Sequence, residues 1–313
     1  MARHARYCLF LSLFLAGLWA GPAQAAEPDG DRPLYAPQSD WRLSPAGAGC
    51  TLSRDFARGE EKVRLTLQRM HPGAPIQFGL FGATIKRERS TIEAGFLPAQ
   101  AMGGFDRVVS AAIGGAEGLV FVGDAFPELG LDLEDGPPPA TLKARYSALA
   151  ERVERFRVRG ASKQDFDLAT GAMLGPLERL DACLVAELAE LGLTEEVRAA
   201  TVSAAFPKDM SAWAGEIMKR YPRDAARLGR RGMVTARLIV SEEGRATHCD
   251  VLDQLTAKML RDAACNALIE HARFLPARDA QDRPLVGVYI ARIDYRLQRA
   301  LGDVDARGVR IGN

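Results

Sequence analysis

The residues that could do chemistry in this chain are few, and their spacing assembles no catalytic set. After residue 25 only three histidines remain, His71, His248 and His271. The sequence has no Gly-x-Ser-x-Gly, no His-Glu-x-x-His and no phosphate-binding glycine loop. Because a catalytic base needs an oriented partner group, such isolated histidines predict solvated or helix-capping roles. We therefore expect a non-enzymatic protein with no catalytic residue, no cofactor and no metal site. An enzyme activity hidden in the N-terminal part is the alternative.

Two carboxylate clusters are candidates for acid–base pairs. Glu60 and Glu61 follow Gly59 and lead straight into an apparent strand, which is typical of a charged turn. Asp132 to Asp135 run into Gly136 and three prolines, which is typical of a solvated loop. Neither pattern predicts a catalytic pair.

The cysteines predict structural bridges. One of the five, Cys8, lies in the N-terminal apolar run, which leaves four in the rest of the chain. An even number in an exported protein favours disulfides, and four cysteines allow three pairings. The layout of the predicted domains favours Cys249–Cys265 and Cys50–Cys183. A redox or zinc site is disfavoured because there is no Cys-x-x-Cys and neither nearby histidine has ligand spacing.

The N-terminus indicates export. Arg3 and Arg6 precede an apolar run from residue 7 to 19, and Ala23-Gln24-Ala25 has the small residues of a cleavage site. We expect residues 1–25 to be a signal peptide and the protein to be periplasmic. The alternative is an uncleaved anchor in the inner membrane. The net charge of +1 excludes a global attraction to nucleic acid.

Residues 26–191 predict an α+β domain of unknown function, rich in β-structure. Its first part, residues 26–48, is rich in Pro, Gly, Asp and Ala and predicts a flexible or extended segment. Short alternating stretches punctuated by glycine then predict a meander or small open barrel. Helices are expected over residues 140–154 and 176–191, the second with leucines at steps of three and four. Residues 192–209 are expected to link this domain to the next.

Residues 210–298 predict a second, smaller domain, followed by a tail over 299–313. Residues 233–240 alternate as a strand, Gly244 suits a tight turn, and residues 247–252 form a second short strand. Residues 260–271 carry one apolar helical face, and Pro276 disfavours continuation of that helix. Residues 284–297 predict a long third strand.

The ordered set of short motifs in this second domain resembles the C-terminal domain of the TonB family of energy transducers. The set comprises Tyr221-Pro222, Gly232-x-Val234, Gly244, Cys249-x-Val251, Ala263-Ala264-Cys265, Arg273 to Ala277, Pro284 and Tyr295-x-Leu297. The resemblance implies a ββαβ fold with a three-stranded antiparallel sheet. It covers about a quarter of the chain. The linker is not Pro-rich, unlike the long spacer of the energy transducers, so direct energy transduction is in doubt.

In the topology implied by this resemblance, the third strand lies at a sheet edge. An edge strand offers its backbone to an incoming extended segment. We therefore expect binding of a segment of an outer-membrane TonB-dependent receptor or another envelope protein, in support of TonB-dependent transport. The expected contact residues are Val288, Tyr289, Ile290, Arg292 and Tyr295. The alternatives are an edge that is covered by the tail and an envelope adaptor that homodimerises through this domain.

A basic run precedes the first strand of this domain. It could contact acidic lipid head groups, cell-wall polymer or an acidic partner, or it could be a solvated helix face. The solvated face is the simpler interpretation. The run comprises Lys219, Arg220, Arg223, Arg227, Arg230 and Arg231.

Overall fold

Two antiparallel-rich sheets, each with its own hydrophobic core, follow one another along the chain. The structure is a computed structural model and describes residues 32–45, 49–70, 72, 74–99, 102–129, 140–251, 256–296, 298–299, 304–305 and 309–312. The expected signal peptide, His71, the acidic loop at 132–135 and Leu297 lie outside the described residues. From Arg32 onward the chain forms one compact unit.

The N-terminal sheet has eleven strands among the described residues. It comprises β1 (Leu34–Pro37), β2 (Arg42–Pro45), β3 (Cys50–Arg58), β4 (Glu61–Arg69), β5 (Ile76–Phe81), β6 (Ile92–Leu97), β7 (Gly103–Phe105), β8 (Val109–Ile113), β9 (Ala116–Gly123), β10 (Arg155–Arg159) and β11 (Phe166–Leu168). The strand order is β7-β6-β10-β11-β1-β3-β4-β5-β9-β8, with β2 beside β3. The β1–β11 pair is parallel.

This sheet curls around an aromatic core. Phe78 on β5 stacks on Phe156 of β10 with ring centroids 5.4 Å apart, although the two strands are far apart in the strand order. Phe105 of β7 lies 4.6 Å from Phe121 of β9. The two ends of the sheet therefore approach each other, and the rings fill the space between them.

Two helices close this core. Helix α1 (Ala140–Glu151) precedes β10, and α2 (Leu174–Glu190) follows β11. Helix α2 buries the leucine stripe expected from its spacing, Leu177, Leu180, Leu184 and Leu188. The disulfide Cys50–Cys183 joins α2 to the start of β3. It is one of the two pairs expected from the sequence.

The segment expected to be flexible or extended contains two strands, in agreement with the extended alternative. Of the four residues of β1 only Tyr35 is buried, and β2 buries none. These short strands are held by backbone pairing with β11 and β3. Because they lack an alternating apolar face, their sequence gives no periodic signal.

The described elements after α2 make up the C-terminal part of the protein, which has the second hydrophobic core. Its helices are α3 (Glu195–Ala200), α4 (Met210–Met218), α5 (Arg223–Arg227) and α6 (Lys258–His271). Its strands are β12 (Phe206–Pro207), β13 (Gly232–Val240), β14 (Ala246–Val251), β15 (Phe274–Leu275), β16 (Ala277–Arg278), β17 (Pro284–Leu285), β18 (Gly287–Tyr295), β19 (Gln298–Arg299), β20 (Val304–Asp305) and β21 (Val309–Gly312). Helix α6 packs its buried face on β13 and is joined to β14 by the disulfide Cys249–Cys265.

The three-stranded antiparallel sheet expected here is present as β14-β13-β18, with a fourth strand, β21, added beyond β18. The long third strand divides, because residues 284–285 pair with β16 and only residues 287–295 pair with β13. The expected linker is also partly incorporated. Phe206 and Pro207 pair with Leu275 and Phe274, so this segment belongs to the C-terminal core.

Candidate partner-binding surface

The candidate surface is built on β18, whose side chains alternate strictly between two faces. Tyr289 is 8% exposed and packs 5.1 Å from the ring of Phe274, and Tyr295 is 1% exposed and packs 5.3 Å from Tyr221. These two of the five expected contact residues therefore face the C-terminal core. Any contact that they make with a partner would use their backbone.

The opposite face of β18 lies against the N-terminal core. Val288 packs in a cluster with Leu188 and Leu193, which lie at and just beyond the end of α2. Ile290 packs on Met70, directly after β4. Arg292 is exposed. The sequence has apolar residues on both faces of this strand because one face is buried in the C-terminal core and Val288 and Ile290 on the other face are half-buried. The pairing of β18 with β13 runs through nine residues without a break.

Arg237 is the polar centre of this contact. It lies on β13, two residues before Ile239, and is fully buried. Ile239 belongs to the cluster that contains Leu188 and Leu193. Its guanidinium donates to the Met70 carbonyl at 2.6 Å, to Glu187 Oε1 at 2.7 Å and to Asp250 Oδ2 at 2.5 Å. Two of these three acceptors belong to the N-terminal core, so one side chain ties the two cores together.

The electrostatics of Arg237 are balanced by its acceptors. Burial disfavours the cation, but the hydrogen bonds to Glu187 and Asp250 outweigh it, and the pKa of Arg237 is raised. Glu187 Oε1 also accepts from the Gly49 amide at 3.2 Å, which fixes the carboxylate. Gly49 has φ +86°, and a Cβ there would lie 2.1 Å from the Arg69 carbonyl, so only glycine fits. Asp250 Oδ1 in turn contacts His248 Nε2 at 3.0 Å.

The far edge of β18 is partly occupied by the chain itself. Strand β21 pairs antiparallel with its second half, from Arg292↔Gly312 to Tyr295↔Val309. The prediction of an open edge is therefore wrong for Arg292 to Tyr295. The alternative prediction, that the tail covers the edge, is correct for these four residues. Residues 309–312 thus form an extended segment added to β18 by backbone pairing.

Half of the basic run is neutralised locally. Arg220 forms a two-bond pair with Glu270 at 2.7 and 2.9 Å, Lys219 pairs with Glu216, and Arg227 pairs with Asp224. The remaining arginines of the run, Arg223, Arg230 and Arg231, are exposed. The run is therefore largely solvated, as the simpler interpretation predicts, but only Arg223 and Arg227 lie in a helix, α5.

The histidines and the first carboxylate cluster are placed in structural surroundings. His248 lies on the exposed side of the Asp250 network, and His271 is the last residue of α6. Glu61 accepts a hydrogen bond from the Tyr35 hydroxyl at 2.6 Å. Among the described residues, no cluster of His, Cys, Asp and Glu could hold a metal ion.

The comparison with protein families bears on this C-terminal region. Residues 218–297 match the model of the family described as Gram-negative bacterial TonB protein C-terminal. This stretch is assigned to the TonB C-terminal family. The match covers β13, β14, α6 and β18, and so includes Arg237, its acceptor Asp250 and the strand that β21 joins. Comparison of the chain with curated proteins and with solved structures gives no match.

The TonB C-terminal family is non-enzymatic and belongs to the bacterial envelope. None of the described helices is long and apolar enough to cross a membrane. Arg237 is not among the residues predicted from the sequence, although the sequence contains a signal for it. Arg237 stands between Ala236 and Leu238 in an otherwise apolar strand, and a charge at such a position needs a buried partner.

Proposed function

We propose that this protein is a periplasmic, non-enzymatic binding protein that captures an extended segment of an envelope partner by strand addition to β18. The match to the TonB C-terminal family supports a partner such as an outer-membrane receptor. Such a role would support TonB-dependent transport. The N-terminal α+β part would act as the platform that holds the TonB-like sheet through Arg237.

The observation that carries this proposal is β21. An extended segment already pairs with β18 over four residues, so the backbone groups on this side of β18 are suitably placed for an added strand. Strand addition draws its affinity from main-chain hydrogen bonds, which depend little on sequence. A partner segment would therefore take the position of β21 and compete with it.

The test removes the competitor. A chain that ends at Arg299 lacks β20 and β21 and should bind a fluorescent peptide copying residues 304–313. The intact chain should bind this peptide at least about tenfold more weakly, because its tethered strand is present at a millimolar effective concentration. Hydrogen exchange should show that the peptide protects amides within residues 292–295. Extended peptides from receptors should then displace the fluorescent peptide.

The matched control is the same peptide with one central residue replaced by proline, because proline removes a strand donor. Equal binding of the copied and control peptides, or equal binding by the intact and shortened chains, would contradict strand addition at β18.

A further inference from the structure

The N-terminal sheet ends in an edge strand, β8, that carries no charged residue. Strand β8 is the last strand in the sheet order and pairs with β9 on one side. No other strand of the described ranges pairs with its outer side. Gly114 and Gly115 both have positive φ and join β8 to β9 in a two-residue turn, so β8 stops at Ile113.

This edge carries exposed apolar side chains. Val109, Ile113 and Val122 are 51%, 50% and 53% exposed. Val109 lies opposite Val120, and Ile113 lies opposite Ala116. Directly opposed residues of a sheet point to the same side, and positions two apart share a face, so all three exposed side chains lie on one face. The tip of the hairpin is exposed on both faces.

The edge also lacks the usual protection against pairing. Natural edge strands carry charges, especially lysine, or proline, which prevent them from adding to another sheet. Residues 108–116 contain no charged residue and no proline. The sequence of this stretch is Val-Val-Ser-Ala-Ala-Ile-Gly-Gly-Ala. No residue in it opposes the pairing of β8 with another strand.

We propose that β8 pairs with β8 of a second copy of this chain, antiparallel, about a twofold axis at Ala111. In this register Val109 of one copy lies opposite Ile113 of the other, on both sides of the axis. Each residue of the five-residue strand finds its mate within the same five residues. The apolar face of one copy thus continues into that of the other.

Charge favours a second copy as the occupant. Self-pairing brings like charges together whenever the strand carries any near its axis, and β8 carries none. The nearest flanking charge on the strand side is Arg107, four residues from the axis. The two copies of Arg107 would be about 27 Å apart at 3.4 Å per residue, well beyond the screening length of about 8 Å. The two-residue turn leaves no overhang to obstruct the second copy.

This interface is independent of the β18 site, because it lies in the N-terminal sheet. It is also distinct from the alternative predicted from the sequence, in which the TonB-like domain forms the homodimer. Pairing of one short strand buries little surface, so the dimer is weak and depends on protein concentration.

A cysteine at the axis tests the register directly. Residues opposed in an antiparallel pair have Cα atoms about 4.5–5.5 Å apart, within the range that a disulfide spans. All four cysteines after Cys8 are already paired. Ala111→Cys should therefore form a covalent dimer under mild oxidation. The matched control is Ser110→Cys, whose two copies would be about 8 Å apart and too distant to bridge.

We expect cross-linking of Ala111→Cys to be at least about tenfold faster than that of Ser110→Cys. Equal rates would indicate random collision, and no cross-link in either variant would indicate an unpaired edge. Either result overturns the proposal.

Sedimentation velocity gives a second readout without new cysteines. The unsubstituted chain should show a rising dimer fraction with concentration, and Ala111→Lys should abolish it by placing two cations at the axis. Ala116→Lys, on the exposed tip outside the paired strand, should leave it unchanged. A chain that stays monomeric at every concentration overturns the proposal. So does a hydrogen-exchange result in which an unrelated extended peptide protects the β8 amides and a second copy of the chain does not.

Discussion

Replacing Arg237 by alanine should separate the two cores of this protein. The side chain is fully buried, and its guanidinium is shared by Met70, Glu187 and Asp250. Its removal leaves two carboxylates facing each other without a cation and one carbonyl without its donor. The variant should therefore lose contact between α2 and β13 before it loses either core.

The size of the effect follows from what is left behind. Breaking a buried ion pair by removing one partner costs about 3–5 kcal/mol. Glu187 is 26% exposed and Asp250 is 16% exposed, so water can solvate part of their charge. We therefore expect the lower value, about 3 kcal/mol, which corresponds to a decrease in melting temperature of about 6–12 °C for a chain of this size. Arg227→Ala is the control, because Arg227 is 80% exposed and its ion pair should contribute little.

Two tryptophans allow each core to be followed separately. Trp41 is buried in the N-terminal core and Trp213 in the C-terminal core. Urea unfolding of Trp41→Phe therefore reports on the C-terminal core, and unfolding of Trp213→Phe reports on the N-terminal core. With Arg237 present, the two transitions should coincide. With Arg237→Ala, the C-terminal transition should move to lower urea. A loss of less than about 1 kcal/mol with transitions that still coincide would refute a central role for this contact.

The disulfides and one tyrosine give further predictions. Replacing both Cys249 and Cys265, which are 16 residues apart, by alanine should lower the free energy of urea unfolding by about 3 kcal/mol. Replacing both Cys50 and Cys183, which are 133 residues apart, should lower it by about 4–5 kcal/mol, because their disulfide closes a longer loop. The reverse order would contradict the loop-entropy argument. Burial and the hydrogen bond to Glu61 raise the pKa of Tyr35 to about 12. Its stabilisation is therefore present below the unfolded pKa of about 10 and lost as the pH rises from there to about 12. Tyr35→Phe should lack this alkaline loss, and an equal loss in the variant, measured by urea unfolding at each pH, would exclude Tyr35 as its source.

The sequence was most informative where one face of an element is buried. The leucine stripe of α2 and the alternation in β13 both carry a period that local reasoning can detect. The cysteines could be paired because the expected export and the expected domain layout restrict the choices. In each case the signal lies within a short stretch of the chain.

The sequence was least informative where a contact joins distant segments. Ile239 and Val288 alternate with residues of the C-terminal core, so their burial against α2 appears only as an unusually apolar strand. Strand β21 lies in a tail rich in glycine and charge, and it is held by the backbone of β18 rather than by an apolar pattern of its own. Backbone pairing of this kind is nearly independent of side-chain identity, so sequence periodicity cannot reveal it.

Because Arg237 is buried, the stretch that matches the family depends on residues outside its own boundaries. The family match begins at residue 218, yet two of the three acceptors of this arginine, Glu187 and the Met70 carbonyl, lie before it, and only Asp250 lies within it. A fragment cut at the family boundaries would lack two acceptors of Arg237 and would expose Ile239, Val288 and Ile290 on one face of the sheet. Such a surface invites association with whatever apolar surface is nearest. In this chain one face of the TonB-like sheet is covered by residues that precede the family match, so the TonB-like domain depends on the N-terminal part for its burial.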